Sequence, residues 1–267
     1  TRVILHAVKL INTESMAQYF SFVSKIINSL ASKAKLKQYQ QLRSKKFRQK
    51  YGLFVVEGLK SVNELTASGW PLETILCTPA FLERYGEKID FTFDLISSEE
   101  FALISHLANP QEVLAIAQII PRDTPVSDWQ IALDGINDPG NLGTIIRIAD
   151  WDGINTIYCS SNTVEFYNSK VIQSTMGSFL RVNVIHGDLT ELLAGKEVYA
   201  TLLDGENIRT ITQPKSGVLL IGNEANGIEQ ATLAAVAHTP ITIPGKGNTE
   251  SLNAAMAAAI CCERLVG

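Results

Sequence analysis

The 267-residue chain is 46% hydrophobic and 19% charged with a net charge of −4, an ordinary globular composition with room for one or two domains. It holds no apolar run of about 18 residues, which excludes a transmembrane helix by length and polarity. Cys77, Cys159, Cys261 and Cys262 show neither a CxxC spacing nor a cluster with histidine, so no metal site is expected. All four read as reduced, mostly buried thiols of a cytoplasmic protein.

Along the chain, residues 1–31 are partly apolar but broken by Asn12, Glu14, Gln18, Ser21, Ser24 and Lys25, which makes a poor signal peptide. Helices are expected over about 16–30 and 33–50, and Met16 is a candidate internal start. The second helix carries eight basic residues (Lys33, Lys35, Lys37, Arg43, Lys45, Lys46, Arg48, Lys50) and no acid. Leu36, Tyr39, Leu42 and Phe47 give it an apolar stripe. Such a run is either a solvated helix face or a surface for a polyanion. A strand at 53–57, a helix at 58–68, a strand at 73–77, a helix at 79–86, a strand at 91–96, a helix at 98–105 and a strand at 113–118 follow. This alternation argues for α/β layers. Residues 120–128, with Pro121 and Pro125, read as a linker.

The second half restarts with short apolar strands at 131–134, 156–159, 182–185, 198–203, 217–221 and 241–243. Helices are expected between them at 143–152, 168–176, 189–194 and 229–236, with a last one at 251–265. Continuous apolar strands separated by helices favour a parallel sheet covered on both faces, with ligands beyond the strands' C-terminal ends. Three polar segments fall there. In Asp134-Gly-Ile-Asn-Asp-Pro-Gly-Asn-Leu-Gly-Thr-Ile-Ile-Arg147, Pro139, Gly140 and Gly143 suggest a tight turn. Arg147 sits among isoleucines and calls for an anionic partner, either a ligand or Asp150 or Glu224. In Val218-Leu-Leu-Ile-Gly-Asn-Glu-Ala-Asn-Gly-Ile228, Glu224 could orient an arginine or bind a hydroxyl, or lie in a plain turn. In Ile241–Ile260, Ser251 and Asn253 open an alanine-rich helix, with Ser251 a natural N-cap. Its positive N-terminus suits a ligand. No P-loop and no complete GxGxxG is present, which weighs against nucleotide hydrolysis and a nicotinamide oxidoreductase. His6, His106, His186 and His238 fit no HExxH and no hydrolase triad.

The segments NDPGNLGTIIRIAD, LLIGNEANGI and ITIPGKGNTESLNAAMAAAI, in this order, resemble the three motifs of the SpoU/TrmH family of RNA ribose 2′-O-methyltransferases in the SPOUT superfamily. LRSKKFRQKYGLFVVEGLKSVNELTAS resembles the substrate-binding domain often fused in front of it. The resemblance implies an α/β fold: a SPOUT-like parallel-sheet domain with a deep trefoil knot at 129–267, preceded by a smaller α/β RNA-binding domain at 33–119. An N-terminal helical extension at 1–32 and the linker at 120–128 complete the expected division.

By resemblance, Asn141, Arg147, Glu224, Ser251 and Asn253 are the catalytic positions, and Gly205, Gly222, Ile243 and Leu252 bind the cofactor S-adenosylmethionine. Arg147 either activates the 2′-hydroxyl or clamps a phosphate. The second role is physically easier, because a guanidinium holds its proton tightly. The implied partners are RNA, ribosomal before transfer RNA, and a second copy of the chain in a homodimer. The alternatives are a tRNA 2′-O-methyltransferase and a non-catalytic RNA-binding protein. Two departures from the family pattern stand at Ile148–Gly153, where Thr-Ala and Ala-Phe-Gly are common, and at Gly245-Lys246, where a methionine is common.

Overall fold

The computed structural model describes residues 32–86, 89–122 and 126–267. The helix expected at 16–30, and nearly all of the extension expected at 1–32, lie outside them. The chain divides between Ile120 and Pro121 into two compact units.

In the first unit the basic run is two helices, α1 (Lys33–Gln41) and α2 (Lys45–Tyr51), which corrects the single helix expected over 33–50. Ser32 caps α1 by accepting from the Lys35 N–H, and Ser44, in an extended conformation, sits at the N-cap of α2. The buried Arg48 explains why the break holds. Its guanidinium donates to the Leu42 and Arg43 carbonyls at 2.7 and 3.0 Å, satisfying groups that the interrupted helix leaves open. Strands β1 (Leu53–Glu57), β2 (Leu72–Cys77), β3 (Asp94–Leu95) and β4 (Val113–Gln118) form one sheet in the order β1-β4-β2-β3. β4 is antiparallel to both neighbours. The strand expected at 91–96 shrinks to two residues, because only Asp94 and Leu95 pair with β2. Helices α3 (Leu59–Ala67), α4 (Pro79–Tyr85) and α5 (Ser98–Ile104) lie between or beside these strands in the described part of the unit. Its core gathers Tyr39, Leu42, Leu76, Phe101, Leu114 and Ile116.

The second unit is built on β5 (Trp129–Asp134), β6 (Thr156–Ser160), β7 (Asn183–Gly187), β8 (Val198–Asn207), β9 (Gly217–Gly222) and β10 (Thr239–Thr242). They make a sheet in the order β10-β8-β9-β5-β6-β7, parallel at every pairing. Burying each Ile or Leu of such a strand contributes about 1.5–3 kcal/mol, and Ile131, Leu133, Ile157 and Leu219 are all buried. Helices α6 (Pro139–Trp151), α7 (Ser169–Ser174), α8 (Leu189–Leu192), α9 (Gln230–Ala235) and α10 (Ala254–Leu265) connect or follow the strands. α8 and α9 cover one face through Leu189, Leu193 and Val236.

Two helix starts differ from expectation. α6 begins at Pro139, four residues before the expected Gly143, so Pro139 and Gly140 belong to the helix and not to a tight turn. Asp138 is its N-cap, accepting from the Asn141 N–H at 2.9 Å, and proline at the first helical position lacks only a hydrogen that no helix carbonyl could take. Gly143 lets α6 lie against α7: a Cβ there would meet the Ser174 Cβ at 2.4 Å. α10 begins at Ala254 and is capped by Asn253, so Ser251 is neither in the helix nor its cap.

Candidate active site

The three polar segments leave the sheet at the same end. β5 and β9 run parallel with Asp134 directly across from Gly222, and β10 ends at Thr242. A chain of side-chain hydrogen bonds joins one residue from each segment. The Asn253 Oδ1 accepts from the Ala255 and Met256 N–H groups at 3.0 and 3.3 Å, which fixes which end of this amide is oxygen. Its Nδ2 therefore points away from the helix and donates to the Asn141 Oδ1 at 3.0 Å. The Asn141 Nδ2 in turn donates to the Glu224 Oε1. The polarity of the α10 first turn is thus passed through two amides to a carboxylate, and no flipped amide would satisfy all three contacts.

Arg147 stands apart from this chain. It is exposed, and among the described residues it makes no hydrogen bond or ion pair. Both carboxylates considered for it are engaged elsewhere: Glu224 by Asn141, and Asp150 by a bidentate contact with Arg181 at 2.6–3.0 Å. The apolar setting expected from its sequence neighbours does not exist in space. At about 100° per residue, Ile145, Ile146 and Ala149 turn inward and are buried, while Arg147 turns to solvent. Ser251 is also exposed.

The positions expected to bind cofactor surround the same strand ends. Gly222 has no room for a side chain: a Cβ would lie 2.2 Å from the Gly227 carbonyl carbon and the Ile228 nitrogen. The space is taken by the loop 223–227 folding back, with Asn223 and Gly227 exchanging backbone hydrogen bonds at 3.0 and 2.8 Å. At Gly205 a Cβ would lie 2.8 Å from the Ile241 nitrogen. There the pairing of β10 jumps from Ala200 to Glu206 between consecutive residues Pro240 and Ile241, so residues 201–205 bulge out. Among the described residues, no hydrogen bond engages the backbone N–H and C=O groups of residues 243–252, and Leu252 is 47% exposed. A flat heteroaromatic ring with a donor and acceptor edge finds both an apolar contact and open main-chain partners here. The residues present fit the adenosyl group of S-adenosylmethionine. A pocket of about 530 Å³ opens at the opposite end of the sheet, beside Trp129, Asp152 and Lys215, and includes none of the motif residues.

Sequence reasoning passed over Asn223. Its Nδ2 donates to the Gly135 carbonyl at 2.8 Å, and its Oδ1 accepts from the Ala225 and Asn226 N–H groups at 2.9 and 3.3 Å. An asparagine directly after a strand-ending glycine, three residues before Asn226-Gly227, is the signal that pointed to it.

In the first unit, three of the eight basic residues serve the fold. Arg48 is described above, Lys35 pairs with Glu73, and Arg43 donates to the Ser105 carbonyl at 2.5 Å. Lys33, Lys37, Lys45, Lys46 and Lys50 remain exposed. All four cysteines are free and buried. Among the described residues there is no group of three or more potential metal ligands and no helix long and apolar enough to cross a membrane.

Comparison with known proteins bears on the family and the fold. Residues 128–263 match the SpoU rRNA Methylase family, and residues 33–115 match the MRM3-like substrate binding domain. The chain is 30% identical to the 23S rRNA (guanosine(2553)-2′-O)-methyltransferase RlmP of Bacillus subtilis (strain 168), over 89% of this chain and 98% of that protein. Its fold is similar to the AdoMet-bound rRNA methyltransferase of Sinorhizobium meliloti, with TM-score 0.72, 30% identity, and coverage of 88% of this chain and 94% of that one. It is also similar to the SpoU methyltransferase AviRb of Streptomyces viridochromogenes in complex with AdoMet, with TM-score 0.74, 25% identity, and coverage of 88% and 97%. With a family match across half its length and a relative 30% identical over nearly all of it, the chain belongs to the SpoU methylase family.

Proposed function

We infer that this protein transfers a methyl group from S-adenosylmethionine to a ribose 2′-hydroxyl of ribosomal RNA. The observation that carries the reading is the Asn253–Asn141–Glu224 hydrogen-bond chain, which draws one residue from each motif to a single point beside the parallel strand ends. Bound S-adenosylmethionine supplies an electrophilic methyl group, so the protein's task is to hold a hydroxyl in line with it; as the new O–C bond forms and the S–C bond breaks, the hydroxyl proton passes to solvent water and S-adenosylhomocysteine leaves. Gly222, Ile243 and Leu252 offer backbone groups for the adenosyl moiety, with Gly205 beneath them holding the 201–205 bulge against β10.

Arg147 is assigned as a phosphate clamp. An exposed guanidinium with no carboxylate partner among the described residues keeps its planar donors free for an RNA phosphate, and a guanidinium in general is a poor proton acceptor. Glu224 holds Asn141 and does not orient Arg147 within one chain. Ser251, exposed just before the Asn253 cap, is assigned a contact with RNA. The first unit, as substrate-binding domain, supplies phosphate contacts through its five exposed lysines, with the double-helical parts of the RNA read by shape.

The same reading includes a homodimer, a trefoil knot and a cytoplasmic location. Supporting the dimer, α6 and α10 lie side by side and leave Trp151 90% exposed and Met256 and Ile260 59% and 39% exposed. Apolar surface of this kind is commonly covered by a partner. Supporting the knot, Arg264 donates to the Ile208 and Ile211 carbonyls at 3.1 and 2.9 Å, and Gln213 to the Leu265 carbonyl at 3.3 Å. These bonds bind the C-terminal helix to the segment between β8 and β9.

The test is transfer of tritium from labelled S-adenosylmethionine to bulk RNA by wild type and Arg147→Ala. Strong loss in the variant is expected, and equal transfer would remove the role given to Arg147.

A further inference from the structure

Asn223 is the only side chain among the described residues that bonds both the loop carrying Glu224 and the loop leading to Asn141. Through Oδ1 it gathers the Ala225 and Asn226 N–H groups and so shapes residues 223–227 around Glu224. Through Nδ2 it holds the Gly135 carbonyl, where the chain leaves β5 toward α6. Gly135 is fixed on its other side as well, since its N–H donates to the Ser160 Oγ at 2.8 Å. It sits at φ +71°, with Asn162 and Asn223 both close to where a Cβ would stand. From Gly135 the chain passes the buried Ile136 to the Asp138 cap and then to Asn141.

The distance between the Asn141 amide and the Glu224 carboxylate is therefore set by two short loops that meet at one asparagine. We propose that Asn223 is a positioning residue for the methyl-transfer reaction, holding Glu224 in register with Asn141. This rests on the function proposed above. It assigns Asn223 no contact with RNA or cofactor; its effect passes through Glu224 and Asn141.

Asn223→Asp is the sharpest test. It keeps the oxygen that accepts from Ala225 and Asn226, and it replaces the donor to Gly135 by an oxygen facing a carbonyl oxygen. With rRNA and S-adenosylmethionine at saturation, kcat should fall about 10- to 100-fold, the effect of misplacing a reacting group by about 1 Å. KM for RNA should change little by comparison, while the lost bond to the buried Gly135 carbonyl should lower the melting temperature by about a few degrees. In the double variant with Asn141→Ala the two losses should not multiply, because both disturb one contact. A wild-type kcat in Asn223→Asp, or losses that multiply fully, would overturn the assignment. Asn223→Ser, which still reaches Ala225 but is too short for Gly135, is the second variant and should lose kcat to a similar extent. A full kcat in whichever variant folds refutes the proposal. If wild type itself transfers no methyl group to RNA, it is the proposed function that fails.

Discussion

Replacing Asn141 by Asp probes the hydrogen-bond chain with almost no change of shape. The Asn141 Oδ1 that accepts from Asn253 is kept, while the nitrogen that donates to Glu224 becomes an oxygen facing an oxygen. Two unit charges about 4 Å apart repel by about 1 kcal/mol in water and about 4 kcal/mol at an effective dielectric of 20. Both residues are half-buried, so about 1–4 kcal/mol is expected, equal to a carboxyl pKa raised by about 1–3 units in the folded state. The sign follows from linkage. A carboxyl with a raised folded pKa binds more protons folded than unfolded, so the pair is stable while it shares a proton at low pH. Its stability falls as pH rises from about 4 through the raised value. Melting followed by circular dichroism should place Asn141→Asp near wild type at pH 4 and about 3–10 °C below it at pH 8. Asn141→Ala loses both hydrogen bonds and should cost about 1–3 kcal/mol at both pH values. A deficit in Asn141→Asp that is the same at pH 4 and pH 8 would refute the contact between Asn141 and Glu224.

Five further outcomes follow from the structure. His106 has both ring nitrogens buried without a hydrogen-bond partner among the described residues, and burial, with Arg43 and Arg48 nearby, pushes its pKa from 6.5 down to about 4. The unfolded chain then takes up a proton that the folded one refuses, so the first unit should lose up to about 3 kcal/mol as pH falls from 6.5 to 4. His106→Leu should flatten this slope in melts against pH. Glu112 holds φ +63°, a left-handed conformation that costs a non-glycine residue about 1 kcal/mol, so Glu112→Gly should raise the melting temperature of the first unit. Gly222→Ala would drive a methyl group into the Gly227–Ile228 backbone and should cost about 3 kcal/mol or more in denaturant titration. Changing Lys45 or Lys46 to Ala should reduce the salt slope of RNA binding by about 0.7–0.9 each without lowering stability. Arg48→Ala should instead destabilise the first unit, because it frees the Leu42 and Arg43 carbonyls.

Much of this architecture is legible in the sequence because parallel strands buried on both faces read as plain apolar runs, and the three motifs sit at their ends. What escaped reading has local causes. Pro139-Gly140 has the composition of a turn, yet proline suits a first helical turn equally well, and only Asp138 decides between them by capping. Ser251 and Asn253 are both good N-caps; the helix takes Asn253 because its amide can accept from the helix and donate to Asn141 at once, which a hydroxyl at that reach does not do. The basic run hides its break because Leu42-Arg43-Ser44 contains neither Gly nor Pro, and the residue that secures the turn, Arg48, reads as one more surface cation. Arg147 misleads for a related reason: apolar neighbours in sequence lie on the far side of a helix in space.

The central claim concerns the product, and nucleoside analysis reads it directly. Ribosomal RNA incubated with S-adenosylmethionine and the wild-type protein should yield, after complete digestion and mass spectrometry, one additional nucleoside methylated on its ribose. That product should be strongly reduced with Arg147→Ala. A methyl group found on a base, or RNA bound tightly with no ribose methylation, would contradict the account.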